Sequence, residues 1–332
     1  MGPTRKLVIT SFGFVALASP QAPVFPLESA IAFVSTRDSP ATDPFVAAEI
    51  YLMDGTGNNA RRVTFNDDGD GFPALSPNGK KIVFDSNRLR SDGEPPNTSD
   101  IFVMDVDGSG QTFVARGSSA SWSPDSKWVA FHASASGNGL PIKPDPGAAT
   151  SDSDIFIVNV DEAAELGQAA TNITQNPSAI DDDPDWSPDG LWIVYASHLV
   201  GDNPNNSVTA EIYVIDAAGS TAPVRLTLNS EEERAPSWSP DGTQILYSCR
   251  KGATFELCVM NADGSNQVQL TSTAVAELTP TWSPDGSGIA YHRLVAGRFQ
   301  VFVMNRDGSG QTQVTNTLGI NAFANWGEVR VK

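Results

Sequence analysis

Short apolar runs alternate with polar turns along most of the chain, and each run is only a few residues long. Residues 82–84 and 101–104 form one pair of such runs, and residues 245–247 and 257–260 form another. The runs are rich in Ile, Val, Phe and Tyr, which favour strands. Pro-Asp-Gly and Asp-Gly segments separate them and are typical of tight turns between antiparallel strands. The pattern therefore predicts an all-β chain of short strands.

A motif close to Trp-Ser-Pro-Asp-Gly recurs at intervals of 44 to 64 residues and sets the unit of repetition. Leu75 stands in the place of tryptophan in the first copy. The repeated tryptophans are expected to be structural, and they are Trp122, Trp186, Trp238, Trp282 and Trp326. Four strands per repeat match a propeller blade. We therefore predict a six-bladed β-propeller of four-stranded antiparallel blades, whose ring is closed when the C-terminal strand completes the first blade.

Two segments are expected along the chain: a signal peptide over residues 1–22 and the propeller over residues 23–332. Arg5 and Lys6 precede a largely apolar stretch at positions 7–18, and Ala16-Leu17-Ala18 fits a signal cleavage pattern. A buried first strand and a retained membrane anchor are the alternatives, but this stretch is shorter than the roughly 20 residues of a spanning helix. We therefore expect export to the periplasm or the extracellular space, with no membrane span after the signal is removed.

Charge and cysteine content narrow the class of protein. The 332 residues include 21 Lys and Arg against 39 Asp and Glu, a formal net charge of −18. Phosphate binding requires clustered basic side chains, so a nucleic-acid partner is not expected. Cys249 and Cys258 are too few for a disulfide scaffold or a four-cysteine zinc site, but they flank one tight connection. We predict that they form a disulfide in an exported protein, and two buried free thiols are the alternative.

Acidic residues recur three positions before the proline of the Pro-x-Trp motif. They are Asp70, Asp181, Glu233 and Glu277, with Asn321 in the last copy. Because this position leads into the innermost strand of each repeat, we expect these side chains to ring the mouth of the central channel. Converging carboxylates repel one another unless a cation neutralises them, and Ca²⁺ is the natural candidate. A solvated acidic rim is the alternative, so no cofactor is required, and Ca²⁺ bound by the four carboxylates is an optional ligand.

Other polar positions also recur. A second acidic position precedes the third strand of the repeats, at Glu49, Asp100, Asp154, Glu211 and Glu256, with Gln300 in the last repeat. The second strands end near Arg37, Arg88, Arg250 and Arg293. Pairing across each hairpin is the expected role of both sets. His132 and His292 share one repeat position in distant repeats, so we expect ordinary strand-end residues rather than ligands of a common metal.

The combined pattern of Pro-x-Trp-Ser-Pro-Asp-Gly, Ile-x-Tyr, Ile-Tyr-Val-Met, Asp-Gly and Leu-Thr resembles the repeat of TolB-type β-propellers, a WD40-like (PD40) repeat family. The resemblance extends over about residues 29–332 and leaves out the N-terminal domain of TolB. It implies a periplasmic protein, similar to the propeller of the Tol–Pal envelope system, whose loops before the tryptophan strand meet a protein partner. By position, the implied partner-binding residues are Asp70, Gly71, Phe72, Asp181, Asp182, Asp183, Glu233, Arg234, Ala235, Glu277, Leu278, Thr279, Asn321, Ala322 and Phe323.

The expected function is therefore the binding of a protein or peptide at the channel mouth by an exported, monomeric and non-enzymatic propeller. No Ser-His-Asp set can be read from the spacing. The alternative is a propeller enzyme or sugar-binding protein that acts on glycans as a lyase or hydrolase, with mouth carboxylates as acid and base. A domain of a larger envelope assembly, without a small ligand, is a third interpretation.

Overall fold

Short antiparallel strands joined by tight turns form almost all of the chain that the structure describes. The structure is a computed structural model, and it describes residues 27–38, 48–89, 99–134, 153–166, 169–199, 210–229 and 231–330. Its helix α1 (Val160–Leu166) lies within the third repeat. The predicted signal peptide, residues 1–22, lies outside the described residues. No helix in the described ranges has the length and apolar character that a membrane span requires.

Each repeat contributes a run of consecutive antiparallel strands. The first two runs are β1 (Leu27–Ser35), β2 (Glu49–Asp54) and β3 (Arg61–Arg62), then β4 (Asp70–Leu75), β5 (Lys81–Ser86), β6 (Asp100–Asp105) and β7 (Thr112–Arg116). The next two are β8 (Ser118–Trp122), β9 (Trp128–Ser134), β10 (Ser153–Asn159) and β11 (Thr171–Asn172), then β12 (Ala179–Trp186), β13 (Trp192–Leu199), β14 (Glu211–Asp216) and β15 (Val224–Arg225). The last are β16 (Glu233–Trp238), β17 (Gln244–Lys251), β18 (Thr254–Asn261) and β19 (Val268–Gln269), then β20 (Glu277–Trp282), β21 (Gly288–Val295), β22 (Arg298–Asn305) and β23 (Thr312–Gln313), and finally β24 (Asn321–Arg330).

The last strand completes the first sheet. β24 pairs antiparallel with β1, with Ile31 opposite Trp326 and Ser35 opposite Asn321, so the sheet order is β24-β1-β2-β3. Because strands from the two ends of the described chain lie side by side, the ring has no open edge at this point. The all-β propeller is therefore present, and its closing pairing is the one that the repeat pattern predicts.

The predicted count of six four-stranded blades is wrong. The described residues form four four-stranded blades and one eight-stranded sheet that contains β8–β11 and β12–β15. These two runs are joined by a parallel pairing of Ser153 in β10 with Ile180 in β12, and the Ser153 hydroxyl donates to the carbonyl of Asp181 at 3.0 Å. β12 has eight residues where β4, β16 and β20 have six, and its additional first residues reach the neighbouring strand.

The core lies between the sheets and uses one aromatic position in the second strand of each repeat. The largest fully buried side chains all occupy this position, and they are Phe33, Phe84, Phe131, Tyr195, Tyr247 and Tyr291. Five of them lie beside an aromatic ring of the third strand, with ring centroids 5.7–5.9 Å apart. Such pairs combine large apolar burial with favourable ring geometry. Tyr247 faces Cys258 instead of a ring.

The repeated tryptophans lie at the seams between neighbouring repeats. The indole N–H of Trp122 donates to the carbonyl of Ala74 at 3.0 Å, and that of Trp282 donates to the carbonyl of Ser237 at 3.2 Å. Partly buried tryptophans pack in the adjoining apolar clusters, and they are Trp186, Trp238 and Trp326. Each tryptophan thus contributes apolar contact at a seam, and at two seams its indole N–H also donates a hydrogen bond to the preceding repeat.

A disulfide joins Cys249 and Cys258 within the hairpin of β17 and β18. Their Cα atoms are 5.9 Å apart, but Cys249 faces Glu256 and Cys258 faces Tyr247. The cysteines are diagonal rather than opposite neighbours, because the turn falls at Gly252, one residue earlier than direct opposition requires.

Reduction of this disulfide is expected to lower the free energy of unfolding by about 2 kcal/mol, because the bond restricts the unfolded chain by closing a short loop. Denaturant unfolding with and without a phosphine reductant measures the change. The double variant Cys249→Ala/Cys258→Ala is the control, since the reductant should leave its stability unchanged. An unaltered unfolding midpoint of the wild type, or two free thiols in the native protein by mass spectrometry, contradicts the prediction.

Candidate functional site

One residue in each innermost strand has a left-handed backbone. These residues have φ between 45° and 54°, and they are Phe72, Ser119, Asp183, Ala235, Thr279 and Phe323. A β-bulge accompanies each of them, as in β4, where the register shifts between Gly71 and Ala74. Residues other than glycine seldom adopt positive φ, so its recurrence at equivalent positions indicates a conformation that the ring imposes.

The bulges surround a central channel with a volume of about 140 Å³. The six left-handed residues line its entrance and are called the mouth ring. Two residues further along each strand, a second set lines the channel and is called the inner ring: Ala74, Ser121, Asp185, Ser237, Thr281 and Asn325. Every repeat therefore contributes residues to the wall of the channel.

Side chains of the preceding repeat hold four of the bulges in place. The backbone N–H of Phe323 donates to Nδ1 of His292 at 3.3 Å. The equivalent acceptors for Ser119, Asp183 and Thr279 are Asp85, His132 and Ser248. Burial lowers the pKa of His292 to about 3, so the ring is neutral and its Nδ1 can accept. Both histidines therefore support the channel wall, in keeping with the structural role expected from the sequence.

The acidic residues that were expected to ring the mouth are buried behind it. Asp70, Asp181, Glu233 and Glu277 are 0–1% exposed, and Asn321 is 0% exposed. Side chains alternate between the two faces of a regular strand, but the bulge interrupts this alternation within two residues. The first residue of each predicted segment therefore lies within the seam, while the third lines the channel.

Each of these buried acids meets a second recurring acid of the preceding repeat. The coupled pairs are Asp70 with Glu49, Asp181 with Asp154, Glu233 with Glu211, and Glu277 with Glu256. Burial raises the pKa of Glu49, Asp181 and Glu233 to about 7, and it also raises the pKa of Glu277; the neighbouring carboxylate acts in the same direction. One member of each pair therefore binds a proton more tightly than an exposed carboxylate does.

The junction that closes the ring has amides in place of both acids. Nδ2 of Asn321 donates to Oε1 of Gln300 at 3.1 Å, and the Thr315 hydroxyl donates to the same oxygen at 3.0 Å. This neutral pair shows that a junction can form without two carboxyl groups.

The arginines pair differently from the hairpin pairing that the sequence predicted. Arg88 and Arg293 pair with the innermost-strand acids Asp70 and Glu277. The second acids are instead paired with arginines of the outermost strands: Glu49 with Arg62, Asp100 with Arg116 and Glu211 with Arg225. Both sets are structural, because their partners lie within the same or an adjoining sheet.

The four carboxylates considered as calcium ligands do not form one site. Across the described ranges, no group of three or more His, Cys, Asp or Glu side chains could hold a metal ion. Asp70, Asp181, Glu233 and Glu277 each bond within their own junction. Calcium in the channel therefore gains no support from their arrangement and stays a prediction.

The side chains that reach the mouth belong to the second and third residues of the predicted partner-binding segments. Phe72 and Phe323 are half-buried, and their rings lie 4.1 Å apart between centroids at the seam of β4 and β24. Asp182 and Asp183 lie on β12, opposite β24 in the ring, and burial raises the pKa of Asp182 beside Asp183. Of the remaining segment residues, Ala322 is buried, and the half-buried ones are Gly71, Arg234, Ala235, Leu278 and Thr279. An aromatic seam therefore faces a charged one across the channel.

The inner ring was missed in the sequence. In the sequence, each inner-ring residue stands between the proline and the tryptophan of a Pro-x-Trp motif. This position varies from repeat to repeat, whereas its neighbours are repeated. Asp185 is the only acid at this position. Burial raises its pKa to about 7, although backbone N–H groups bond to it.

Known proteins match both the sequence and the fold. A family model described as TolB beta propeller domain matches residues 148–330. An uncharacterized protein of Agrobacterium fabrum is 26% identical over 219 residues, which cover 61% of this chain and 62% of that protein. The match thus spans less than two thirds of the relative's own length.

Two solved structures share the architecture. TolB from Acinetobacter baumannii has a TM-score of 0.69 and 20% identity, over 90% of this chain and 66% of that one. A candidate TolB from Agrobacterium tumefaciens has a TM-score of 0.62 and 17% identity, over 92% of this chain and 99% of that one. At these identities the likeness shows the fold alone.

Proposed function

The chain belongs to the TolB β-propeller domain family, and from that premise we propose that it is an exported, non-enzymatic, monomeric propeller that binds a protein or peptide at its channel mouth. Its proposed location is the periplasm or the extracellular space, on the strength of the predicted signal peptide. One observation carries the proposal: equivalent bulges in every innermost strand turn the mouth-ring side chains toward a common entrance. Loops that a rigid scaffold holds in this way are common binding surfaces.

The two sides of the mouth favour a peptide-like ligand. The close, tilted pair of Phe72 and Phe323 offers an apolar, aromatic surface, and aromatic residues are enriched at the core of protein interfaces. On the opposite side, Asp182 and Asp183 lie near the ion pair of Arg234 with Glu232. Charged groups at the edge of an interface orient a partner and exclude wrong ones. The mouth can therefore distinguish a partner by apolar and charged groups at once.

A glycan-directed enzyme is less well supported by this geometry. Its acid and base would be the carboxylates of Asp70, Asp181, Glu233 and Glu277, which are 0–1% exposed. A general acid or base must come within hydrogen-bond reach of the substrate atom that it serves. None of these four side chains lines the channel, so they are in no position to contact a sugar bound there.

A photo-cross-linking phenylalanine analogue at position 323 is expected to give a discrete adduct with one protein or peptide of the envelope or secreted fraction. Position 323 lines the mouth, so a partner bound there lies within reach of the probe. Irradiation followed by mass spectrometry of the adduct measures the result.

The same analogue at position 191 is the matched control. Leu191 is 62% exposed and follows β12 at the end of that strand away from the mouth. We expect no discrete adduct there, and we expect Phe72→Ala/Asp183→Lys to abolish the adduct at position 323. Equal adducts at both positions, or an adduct that survives the double substitution, would place binding outside the channel mouth.

A further inference from the structure

Asp185 of the inner ring is negatively charged when ionised, although a neutral side chain could accept the same main-chain hydrogen bond. Its Oδ2 accepts from the backbone N–H of Trp238 at 2.8 Å. Asn325, at the same position on β24, accepts from the backbone N–H of Leu75 at 2.9 Å without any charge. Over the described ranges, no Lys or Arg forms an ion pair with Asp185. The carboxylate therefore accepts hydrogen bonds from main-chain N–H groups and from the Ser237 hydroxyl, and it lines the channel without an ion-pair partner in the described part of the chain.

The surroundings of Asp185 favour a cation. Asp185 is half-buried, and a carboxylate with restricted access to water is destabilised unless a positive group lies beside it, so burial raises its pKa. Asp183 lies on the same strand in the mouth ring. A cation that enters the channel therefore meets one carboxylate at the entrance and a second one below it.

Hydroxyl groups flank Asp185 on both neighbouring strands. Ser121 of β8 and Ser237 of β16 belong to the same inner ring. Ser121 is 9% exposed, and its Oγ has no hydrogen-bond partner among the residues that the structure describes. A buried hydroxyl without a partner is unfavourable, so a hydrogen-bond donor that reaches this level of the channel would satisfy it.

One carboxylate between two hydroxyls matches the charge and the three N–H donors of a primary ammonium group. Phe72, Phe323 and Ala235 provide apolar surface in the mouth ring, which suits an alkyl stem. A divalent cation would favour more carboxylate ligands than this level of the channel supplies. We propose that the inner ring binds a primary alkylammonium group, with Asp185, Ser121 and Ser237 as its acceptors.

This inference rests on the proposed function and deepens it. A lysine side chain of the bound partner would supply the alkylammonium group, and a free alkylamine is the other source of the same chemistry. The site itself can be tested without any partner, so its failure is distinguishable from failure of the proposed function.

Isothermal titration of the full chain with n-butylammonium chloride, at low ionic strength and pH 7.5, tests the site. We expect one saturable site, at least tenfold weaker binding by Asp185→Asn, and about threefold weaker binding by Ser121→Ala. Asp67→Asn removes an exposed charge outside the channel and should bind as the wild type does. Asparagine stands naturally at position 325, so Asp185→Asn should fold, and Asp185→Ser, which copies position 237, is the second variant.

Equal affinity of the wild type and Asp185→Asn for n-butylammonium overturns the inference, as does equal binding of the neutral analogue n-butanol or tighter binding of Ca²⁺. N-acetyl-lysine methylamide separates the two sources. Tighter binding than n-butylammonium, reduced by Phe72→Ala, supports a partner lysine, whereas weaker binding supports a free amine. A negative titration together with a specific cross-link at position 323 refutes the ammonium site and leaves the proposed function standing.

Discussion

Replacing Gly264 by alanine is expected to lower the free energy of unfolding by about 3 kcal/mol, since it combines overpacking with an unfavourable backbone. Gly264 has φ of +84° in the turn between β18 and β19. A Cβ atom there would lie 2.5 Å from the carbonyl oxygen of Leu226, in the neighbouring repeat. The obstacle is main chain and cannot rotate away as a side chain can, so the two sheets must move apart.

Gly252→Ala is the matched control for this prediction. Gly252 also has a positive φ, +66°, but a Cβ atom there would meet nothing within 4 Å. This variant should therefore lose only the backbone contribution, about 1–2 kcal/mol. Urea unfolding of both variants measures the difference, and equal losses would show that the contact with Leu226 does not matter.

The glycine contact recurs around the ring. The turn glycines that approach the main chain of the preceding repeat are Gly57, Gly108, Gly219, Gly264 and Gly308. The turns themselves could be predicted, because Asp and Gly act locally, as when Asp263 accepts from the backbone N–H of Ser265 at 2.9 Å. The close contact between these glycines and the preceding repeat could not be predicted, because it depends on how two repeats pack against each other. No single segment of the sequence specifies that packing.

The same distinction explains which parts of the fold were predictable. Strands and turns follow from short patterns, and the strand around Trp326 could be assigned to the first sheet because it was a repeat fragment without a sheet of its own. The joined sheet rests on one parallel pairing, Ser153 with Ile180, at the start of β12. A single pairing between two repeats has no periodicity, so counting repeats gave the wrong number of blades.

Side-chain direction limited the prediction of the site. Spacing located the segments that lead into the innermost strands, but a positive φ at residues such as Phe72 and Asp183 decides which side chains face the channel. The sequence pattern pointed to the acids, whereas the structure buries them and presents the residues two positions later. Asp185 was not predicted, because it occupies the variable position of the Pro-x-Trp motif and the prediction used the positions that repeat.

The free energy of unfolding is expected to fall by about 3 kcal/mol between pH 6.5 and pH 8, at roughly 0.8 kcal/mol for each of four buried or half-buried carboxyl groups. Burial raises the pKa of four carboxyl groups to about 7, those of Glu49, Asp181, Asp185 and Glu233. Their unfolded values lie near 4, so this stabilisation is complete below about pH 4 and is lost as the pH rises through 7. His292, whose pKa burial lowers to about 3, opposes the trend only below about pH 6.5. Chemical denaturation across this range measures the slope.

Glu233→Gln is expected to make the protein about 1 kcal/mol more stable than the wild type at pH 8, with little change at pH 5. Oε2 of Glu233 and Oε2 of Glu211 are both buried, and neither has a hydrogen-bond partner in the described part of the chain. A glutamine amide can donate across this junction as Asn321 does to Gln300. Asp67→Asn removes the same charge from an exposed loop, which controls for general relief of the net charge of −18. Equal stabilisation by both substitutions at pH 8 would assign the slope to that net charge and not to the buried acid pairs.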